Sequence, residues 1–187
     1  MRIVAGTHRG RPLLGPKGPG LRPTADRVRE SLFNLLGQRF DGGSVLDLYA
    51  GTGALAFEAL SRGMTRAVLV DSGAESERLV RANARALGFE SAMTFLRAPV
   101  ERALLRLASE HQRFELVFAD PPYAAGAAVG LVEAVRSAGV LAPEGILCVE
   151  HGHGEPLPPG GGGLTAVDQR RFGDTVVSLF RADAATG

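Results

Sequence analysis

The stretch that most constrains the fold of this chain runs from Val45 to Leu55 and reads VLDLYAGTGAL. An apolar run with one acidic residue leads into a turn of small residues, and an alanine-rich segment with helical spacing follows. Gly51 and Gly53 lack Cβ atoms, so the turn can adopt positive φ at little cost and can approach a ligand closely. The pattern predicts a buried strand, a tight loop and the start of a helix, an arrangement that directs backbone N–H groups at a small ligand.

The acidic residue Asp47 restricts the class of ligand that this loop can hold. The spacing Asp-x-x-x-Gly-x-Gly differs from the Gly-x-Gly-x-x-Gly motif of dinucleotide-binding folds, and a carboxylate here would repel a pyrophosphate. A ligand with positive charge fits better, and S-adenosylmethionine carries both a sulfonium and an α-ammonium group. The alternative is a structural turn in which the glycines supply the geometry and Asp47 caps the helix.

Segments with strand and helix character alternate along the rest of the chain. The predicted strands cover 66–72, 93–97, 114–120 and 145–150, and the predicted helices cover 26–36, 74–87, 100–108 and 127–138. This alternation predicts a parallel sheet covered by helices on both faces, with its ligands at the carboxyl ends of the strands. Asp47, Asp71 and Asp120 fall at such ends. The segments 164–168 and 175–180 resemble an antiparallel pair, separated from the rest by a Gly/Pro-rich loop at 156–163.

The N-terminal segment is basic, although the whole chain has a formal net charge of only +1. Through Glu30 there are seven Arg and Lys residues and two Asp and Glu residues. Short strand-like segments at 2–6 and 11–14 predict a hairpin, and we expect this basic arm to occupy 1–24 and the main domain 25–187. Such an arm favours a polyanionic partner, whereas the alternative is a solvated arginine-rich surface. The candidate contacts are Arg2, Arg9, Arg11, Arg22 and Arg27.

Composition disfavours several other kinds of protein. No apolar run approaches the roughly 20 residues of a membrane span, and the N-terminus lacks the apolar core of a signal peptide. Cys148 is the single cysteine, so no internal disulfide can form and a reducing cytoplasm fits. His151 and His153 have no Cys or acidic partners at ligand spacing, and we expect them in a loop rather than in a metal site. We expect a cytoplasmic monomer without a metal and without contact to a membrane.

The tetrapeptide Asp120-Pro121-Pro122-Tyr123 suits chemistry on an exocyclic amine, whose lone pair is delocalised into the base. Two acceptors that hold the two amine hydrogens, the Asp120 carboxylate and the Pro121 carbonyl, would favour a pyramidal nitrogen that attacks a methyl group. Prolines fix φ and lack N–H groups, so this loop is rigid and rich in carbonyls. Tyr123 offers a face on which a flipped-out base can stack. The alternative is a proline turn that ends a strand, with Tyr123 in the core.

Four motifs together resemble one family, the RsmD methyltransferases that act on guanine N2 in small-subunit ribosomal RNA. They are RIVAG with RGR at 2–6 and 9–11, LRPTADRVRESLFN at 21–34, DLYAGTGAL at 47–55 and DPPY at 120–123. The resemblance implies a Rossmann-like α/β fold of the class I S-adenosylmethionine methyltransferases, with about seven strands and an N-terminal β-hairpin extension that contacts RNA. It also implies ribosomal RNA as the partner, either free or in an assembled particle.

The resemblance also implies roles for individual residues. Asp120, Pro121, Pro122 and Tyr123 would hold the guanine. Asp71 would bind the ribose hydroxyls of the cofactor. The implied cofactor-binding set is Asp47, Tyr49, Ala50, Gly51, Gly53, Asp71, Ser72 and Ala98.

Two positions depart from the family pattern. The second-strand acid is Asp71, where Glu is common, which shortens the reach to the ribose. Arg97-Ala98-Pro99 stands where relatives usually offer Asp or Asn to the adenine amine, and Arg cannot accept a hydrogen bond. We therefore expect the Ala98 backbone to meet the adenine and Arg97 to face solvent.

Other functions remain as alternatives. The same tetrapeptide serves exocyclic amines in general, so an N-methyltransferase of adenine or cytosine is one. A non-catalytic RNA-binding or ribosome-assembly module that keeps the fold is another. A nicotinamide oxidoreductase is disfavoured because Gly-x-Gly-x-x-Gly is missing.

Overall fold

The computed structural model describes residues 1–16, 23–122, 124 and 126–184, and for 23–27 it describes the backbone alone. The predictions for Arg22 and Tyr123 therefore lie outside the described residues, and so does the side chain of Arg27. The chain divides into two compact units, Met1–Ala98 and Pro99–Gly187, here called the N-terminal and the C-terminal unit.

The described residues of the N-terminal unit form three α-helices, one short 3-10 helix and three parallel strands. Its elements are α1 (Pro23–Leu36), β1 (Ser44–Leu48), α2 (Ala54–Ser61), β2 (Arg66–Asp71), α3 (Ala74–Leu87), a 3-10 helix (Glu90–Ala92) and β3 (Met93–Arg97). Strand β2 pairs in parallel with β1 on one side and with β3 on the other. Strands β1 and β2 are buried over almost their whole length, which is why they read as continuous apolar runs rather than as alternating patterns.

The predicted N-terminal hairpin is present as a small element of this unit. Arg2 and Pro12 form an antiparallel bridge, and the Ile3 N–H donates to the Arg11 carbonyl at 2.9 Å. Ile3 and Leu13 are buried, so the hairpin packs as part of the unit's core rather than as a free arm. The predicted boundary at residue 24 stays a prediction.

The C-terminal unit continues the alternation and then turns antiparallel. Its elements are α4 (Val100–Ser109), β4 (Phe114–Ala119), α5 (Ala127–Ala138), β5 (Leu141–Gly152), β6 (Gly160–Gly161), β7 (Leu164–Phe172) and β8 (Thr175–Ala182). Strands β4 and β5 are parallel, whereas β5–β8, β8–β7 and β7–β6 are antiparallel pairs.

Most predicted elements occur near the predicted positions. Helix α1 begins at Pro23 instead of residue 26, and the larger differences lie in the C-terminal unit. Strand β5 has 12 residues instead of the predicted 145–150, because its second half pairs with β8 from Ile146 to Gly152. The prediction of His151 in a loop is therefore wrong, since this residue lies in β5 and is 3% exposed. Strand β6 falls inside the predicted 156–163 loop, so the described residues form eight strands where about seven were expected. None of the described helices is long and apolar enough to cross a membrane.

Candidate cofactor loop and acceptor-base site

Asp47 lies at the end of β1 and holds the first turn of α2. Its side chain is 3% exposed, and its Oδ2 accepts the Ala56 N–H at 3.1 Å. A carboxylate that accepts from this turn satisfies a backbone N–H that the helix itself leaves unpaired, and it also favours the positive end of the helix dipole. The cap considered as the structural alternative is therefore present. The predicted contact of Asp47 with the cofactor stays a prediction.

The loop between β1 and α2 is a tight turn in left-handed backbone conformations. Tyr49, Gly51 and Gly53 have φ values of 61°, 54° and 78°, and the Gly53 N–H donates to the Ala50 carbonyl at 2.7 Å. A non-glycine residue in this region costs on the order of 1–3 kcal/mol and persists where the surroundings enforce it, often at functional sites. The strained Tyr49 supports the interpretation of this loop as the candidate cofactor loop, residues 49–53.

Asp71, at the end of β2, accepts hydrogen bonds from the candidate cofactor loop and from the loop between β2 and α3. Its Oδ2 accepts the Gly51 N–H at 3.0 Å and its Oδ1 accepts the Gly73 N–H at 2.8 Å. Each carboxylate oxygen has about two acceptor positions, so these bonds leave Asp71 able to accept further hydroxyl groups. The predicted ribose contact of Asp71 and the predicted cofactor contact of Ser72 stay predictions.

Arg97 and Ala98 stand where the family usually offers an acceptor to the adenine, and the structure shows the partners of both residues. Arg97 is 56% exposed and its Nη1 lies 3.4 Å from Glu77 Oε2, as expected for a side chain that faces solvent. The Ala98 N–H donates to the Asp71 carbonyl at 3.1 Å, so the protein itself already uses this donor. A contact between Ala98 and an adenine, which stays a prediction, would use another atom of this residue.

Asn83 is a polar residue of the site that sequence reasoning left undecided. It is 1% exposed on α3, and its Oδ1 accepts the Leu14 N–H at 2.7 Å. Its Nδ2 donates to the Leu14 and Thr52 carbonyls, both at 3.0 Å. One amide thus joins the segment after the hairpin to the candidate cofactor loop. An amide on the apolar stripe of a helix, between Val80 and Leu87, was the signal that could have identified it.

Glu58 on α2 anchors the hairpin, and sequence reasoning did not find it. This side chain is fully buried, and its two carboxylate oxygens accept the Val4 N–H at 2.8 Å and the Ala5 N–H at 2.9 Å. Arg62 Nε donates to it at 2.8 Å, and Arg29 Nε lies 3.5 Å away. Glu58 therefore connects the hairpin, α1 and α2 through one charge cluster.

The described arginines of the hairpin divide into exposed side chains and a buried support. Arg2, Arg9 and Arg11 are exposed. Arg29, on α1, is 4% exposed and donates from Nη2 to the Arg2 carbonyl. The motif at 21–34 therefore contributes at least one arginine to the support of the hairpin rather than to its surface.

Asp120 directly follows β4 and carries an unusual carboxyl group. The register pairs Ala119 with Val149 in the parallel strands, so Asp120 and Glu150 follow at matching positions. Partial desolvation of the carboxylate, together with the negative charge of Glu150, raises the pKa of Asp120 to about 7, although the residue keeps an exposed surface. Its γ-carboxyl group can therefore either donate or accept a proton near neutral pH.

Two prolines follow Asp120 at the end of β4. Pro121 is buried and Pro122 is exposed. The Pro122 carbonyl accepts the Ala124 N–H at 2.7 Å, which closes a tight turn. The Pro121 carbonyl stays the predicted second acceptor for an amine.

Comparison with known proteins identifies the class and the family. The family described as "Conserved hypothetical protein 95" matches residues 1–181. The solved structure described as "Putative methyltransferase yhhF from Escherichia coli" is 30% identical, with a TM-score of 0.83 over 99% of both chains. The chain thus has the fold of the class I methyltransferases.

Two relatives in sequence match nearly the full length. Ribosomal RNA small subunit methyltransferase D of Escherichia coli is 34% identical over 98% of this chain and 91% of its own length. The YlbH protein of Bacillus subtilis is 35% identical over 97% of this chain and 98% of its own length. The chain belongs to the RsmD family of methyltransferases. The predicted family, fold class and enzyme class are confirmed, whereas the roles of the individual site residues stay predictions.

Proposed function

We propose that this enzyme transfers a methyl group from S-adenosylmethionine to the exocyclic N2 of a guanine in small-subunit ribosomal RNA. The observation that carries the proposal is Asp120, a carboxyl group at a strand end whose pKa is raised to about 7 and which precedes a rigid Pro-Pro turn. The near full-length similarity to the small-subunit methyltransferase of Escherichia coli supports the choice of ribosomal RNA.

The candidate cofactor loop has the properties that the methyl donor requires. A Cβ atom built on Gly51 would have the Tyr49 carbonyl oxygen, 4.0 Å away, as its nearest neighbour, so the missing side chain leaves space for a ligand. The carboxylate of Asp71 adds acceptors for hydroxyl groups beside that space. When bound, S-adenosylmethionine supplies an electrophilic methyl group, and the loop residues 49–53 with Asp71 hold it.

Asp120 and Pro121 act on the acceptor amine. Ionised Asp120 accepts one amine hydrogen and the Pro121 carbonyl accepts the other, which fixes the nitrogen in a pyramidal geometry. As the new nitrogen–carbon bond forms and the sulfur–carbon bond breaks, the nitrogen becomes acidic. Its proton passes to the Asp120 carboxylate and from there to solvent, which a pKa of about 7 permits.

The exposed arginines of the hairpin serve the RNA rather than the chemistry. Arg2, Arg9 and Arg11 contact phosphates, and the target base leaves its stack to reach Asp120. The proposal includes a cytoplasmic monomer that acts on free ribosomal RNA or on an assembled particle.

The experiment compares Asp120→Asn with the matched control Asp174→Asn, an exposed residue in the turn between β7 and β8. Substrates are small-subunit RNA and particles from cells that lack the enzyme, incubated with labelled S-adenosylmethionine. We expect N2-methylguanosine as the product, a loss of at least about 100-fold in kcat for Asp120→Asn, and no change for the control. Titration with S-adenosylhomocysteine should show that Asp120→Asn keeps cofactor affinity.

Each alternative function has its own outcome in this experiment. Methylated adenine or cytosine as the sole product would contradict the guanine assignment. An Asp120→Asn variant with full activity would contradict the role of the carboxylate. Cofactor binding without turnover on any RNA would favour a non-catalytic module.

A further inference from the structure

Glu150 is a second carboxyl group at the strand ends that carry Asp120. It follows Val149 in β5 as Asp120 follows Ala119 in β4, and the parallel register pairs Val149 with Ala119. Side chains at matching positions of neighbouring strands point to the same face of a sheet. Asp120 follows the last residue of β4, so we expect its side chain on the same side of the C-terminal unit as that of Glu150.

The charge of Glu150 also acts on the carboxyl group of Asp120. The negative charge of Glu150 contributes to raising the pKa of Asp120, after the larger effect of burial. A like charge nearby disfavours the ionised form of a carboxyl group.

The neighbouring titratable side chains have other positions or partners. His151 alternates to the opposite face of β5, where its Nε2 lies 2.8 Å from Ser178 Oγ. Glu155 accepts the Ala128 N–H at the start of α5 at 3.0 Å. Among the described residues, the charge that raises the pKa of Asp120 is that of Glu150.

A second carboxylate beside the amine could distinguish guanine from adenine and cytosine. Asp120 and Pro121 need only an amine with two hydrogens, which guanine, adenine and cytosine all possess. The ring positions next to that amine differ: guanine has the N1–H donor, whereas adenine N1 and cytosine N3 are acceptors. A carboxylate beside the amine attracts the donor and repels the acceptors, which disfavours the bases that present a lone pair there.

We propose that Glu150 is a specificity-determining residue whose carboxylate accepts the ring N1–H of guanine while Asp120 holds the neighbouring N2 amine. This inference rests on the proposed function and adds to it the feature that selects guanine. Asp120 and the Pro-Pro turn orient the amine, and Glu150 reads the ring atom beside it.

The test uses Glu150→Gln and the matched control Glu144→Gln, an exposed residue six positions earlier on the same strand. The substrate is small-subunit RNA with either guanine or 2-aminopurine at the mapped target nucleotide, presented free or in a particle, whichever supports methylation. The base 2-aminopurine keeps the N2 amine, but its N1 is an acceptor. The measured quantity is the ratio of kcat/KM for the two bases.

We expect the wild-type enzyme and Glu144→Gln to prefer guanine by at least about 100-fold, because the N1 acceptor faces a carboxylate. Glu150→Gln should lose at least about tenfold of that preference, because its amide can donate to N1. Glu150→Asp keeps a carboxylate and should retain more of the preference than Glu150→Gln. A Glu150→Gln enzyme with the full preference would overturn the inference.

The pH profile gives a second measurement that a purely structural role would not change. With guanine, the rate should rise with pH as Asp120 ionises, near its pKa of about 7. Glu150→Gln removes a neighbouring negative charge, so the pKa of Asp120 falls and the rise moves to lower pH, whereas Glu144→Gln leaves it in place. A profile that Glu150→Gln does not move would overturn the inference. If the wild-type enzyme makes no N2-methylguanosine at all, the proposed function fails instead.

Discussion

Replacing Glu58 with Gln should loosen the N-terminal hairpin from α2. Oε1 of Glu58 accepts from the Ala5 N–H and from Arg62 Nε, and Oε2 accepts from the Val4 N–H. Glutamine has one acceptor oxygen and one NH2 group, so at least one of these donors would face another donor inside the core. The substitution also leaves Arg62, itself 4% exposed, without its buried counter-charge.

The expected loss in the free energy of unfolding follows from the burial of Glu58 and Arg62. Removing one partner of a buried ion pair destabilises a protein by about 3–5 kcal/mol, because the remaining charge stays buried. A typical free energy of unfolding is about 5–15 kcal/mol, so this loss is a large part of the total. We expect the Glu58→Gln variant to lose about 3–5 kcal/mol in the free energy of unfolding.

Urea unfolding followed by circular dichroism measures that loss, and amide hydrogen exchange shows where it acts. The substitution should accelerate amide hydrogen exchange at residues 3–13 more than exchange in β1 and β2. Glu75→Gln is the matched control, because Glu75 forms an exposed ion pair with Arg78 on α3 and should leave both measurements unchanged. A Glu58→Gln variant with a loss below about 1 kcal/mol and unchanged exchange in the hairpin would refute the anchoring role.

Two further predictions concern the cofactor loop and the hairpin surface. Gly53→Ala places a Cβ 2.6 Å from Phe57 Cε2 at a φ of +78°, and it should lower the melting temperature and weaken S-adenosylhomocysteine binding at least about tenfold. Gly10→Ala is its control, since Gly10 has a φ of +82° but no atom within 4 Å of the built Cβ, and it should leave cofactor affinity unchanged. Arg9→Ala and Arg11→Ala should each weaken RNA binding and reduce its salt dependence by about one phosphate contact, whereas an unchanged salt slope would argue against their phosphate contacts.

Local patterns were sufficient for most of the secondary structure. The predicted bounds of α3 and β3 agree with the observed Ala74–Leu87 and Met93–Arg97. Helix α3 ends where expected because Gly88 adopts the left-handed conformation that terminates a helix. The rule that ligands bind at the carboxyl ends of parallel strands also placed Asp47, Asp71 and Asp120 at strand ends from sequence alone.

Partners that are distant in sequence decided the rest. The length of β5 depends on its pairing with β8, and that pairing buries His151 in a strand instead of a loop. Glu58 reads as a helix surface residue until Val4 and Ala5, more than 50 positions away, supply the N–H groups that it accepts. No local pattern carries that information.

The sequence by itself determined the kind of molecule: the order of its strands and helices, the family and the residue types available for chemistry. The reason is that backbone preferences and the burial of apolar side chains act over a few residues and leave a readable periodicity. Only the tertiary structure decided which polar groups meet, such as Asn83 with Leu14 and Thr52, or Glu58 with Val4 and Ala5. Hydrogen bonds and charges act over a few ångströms in space, and the chain brings those atoms together only once it has folded.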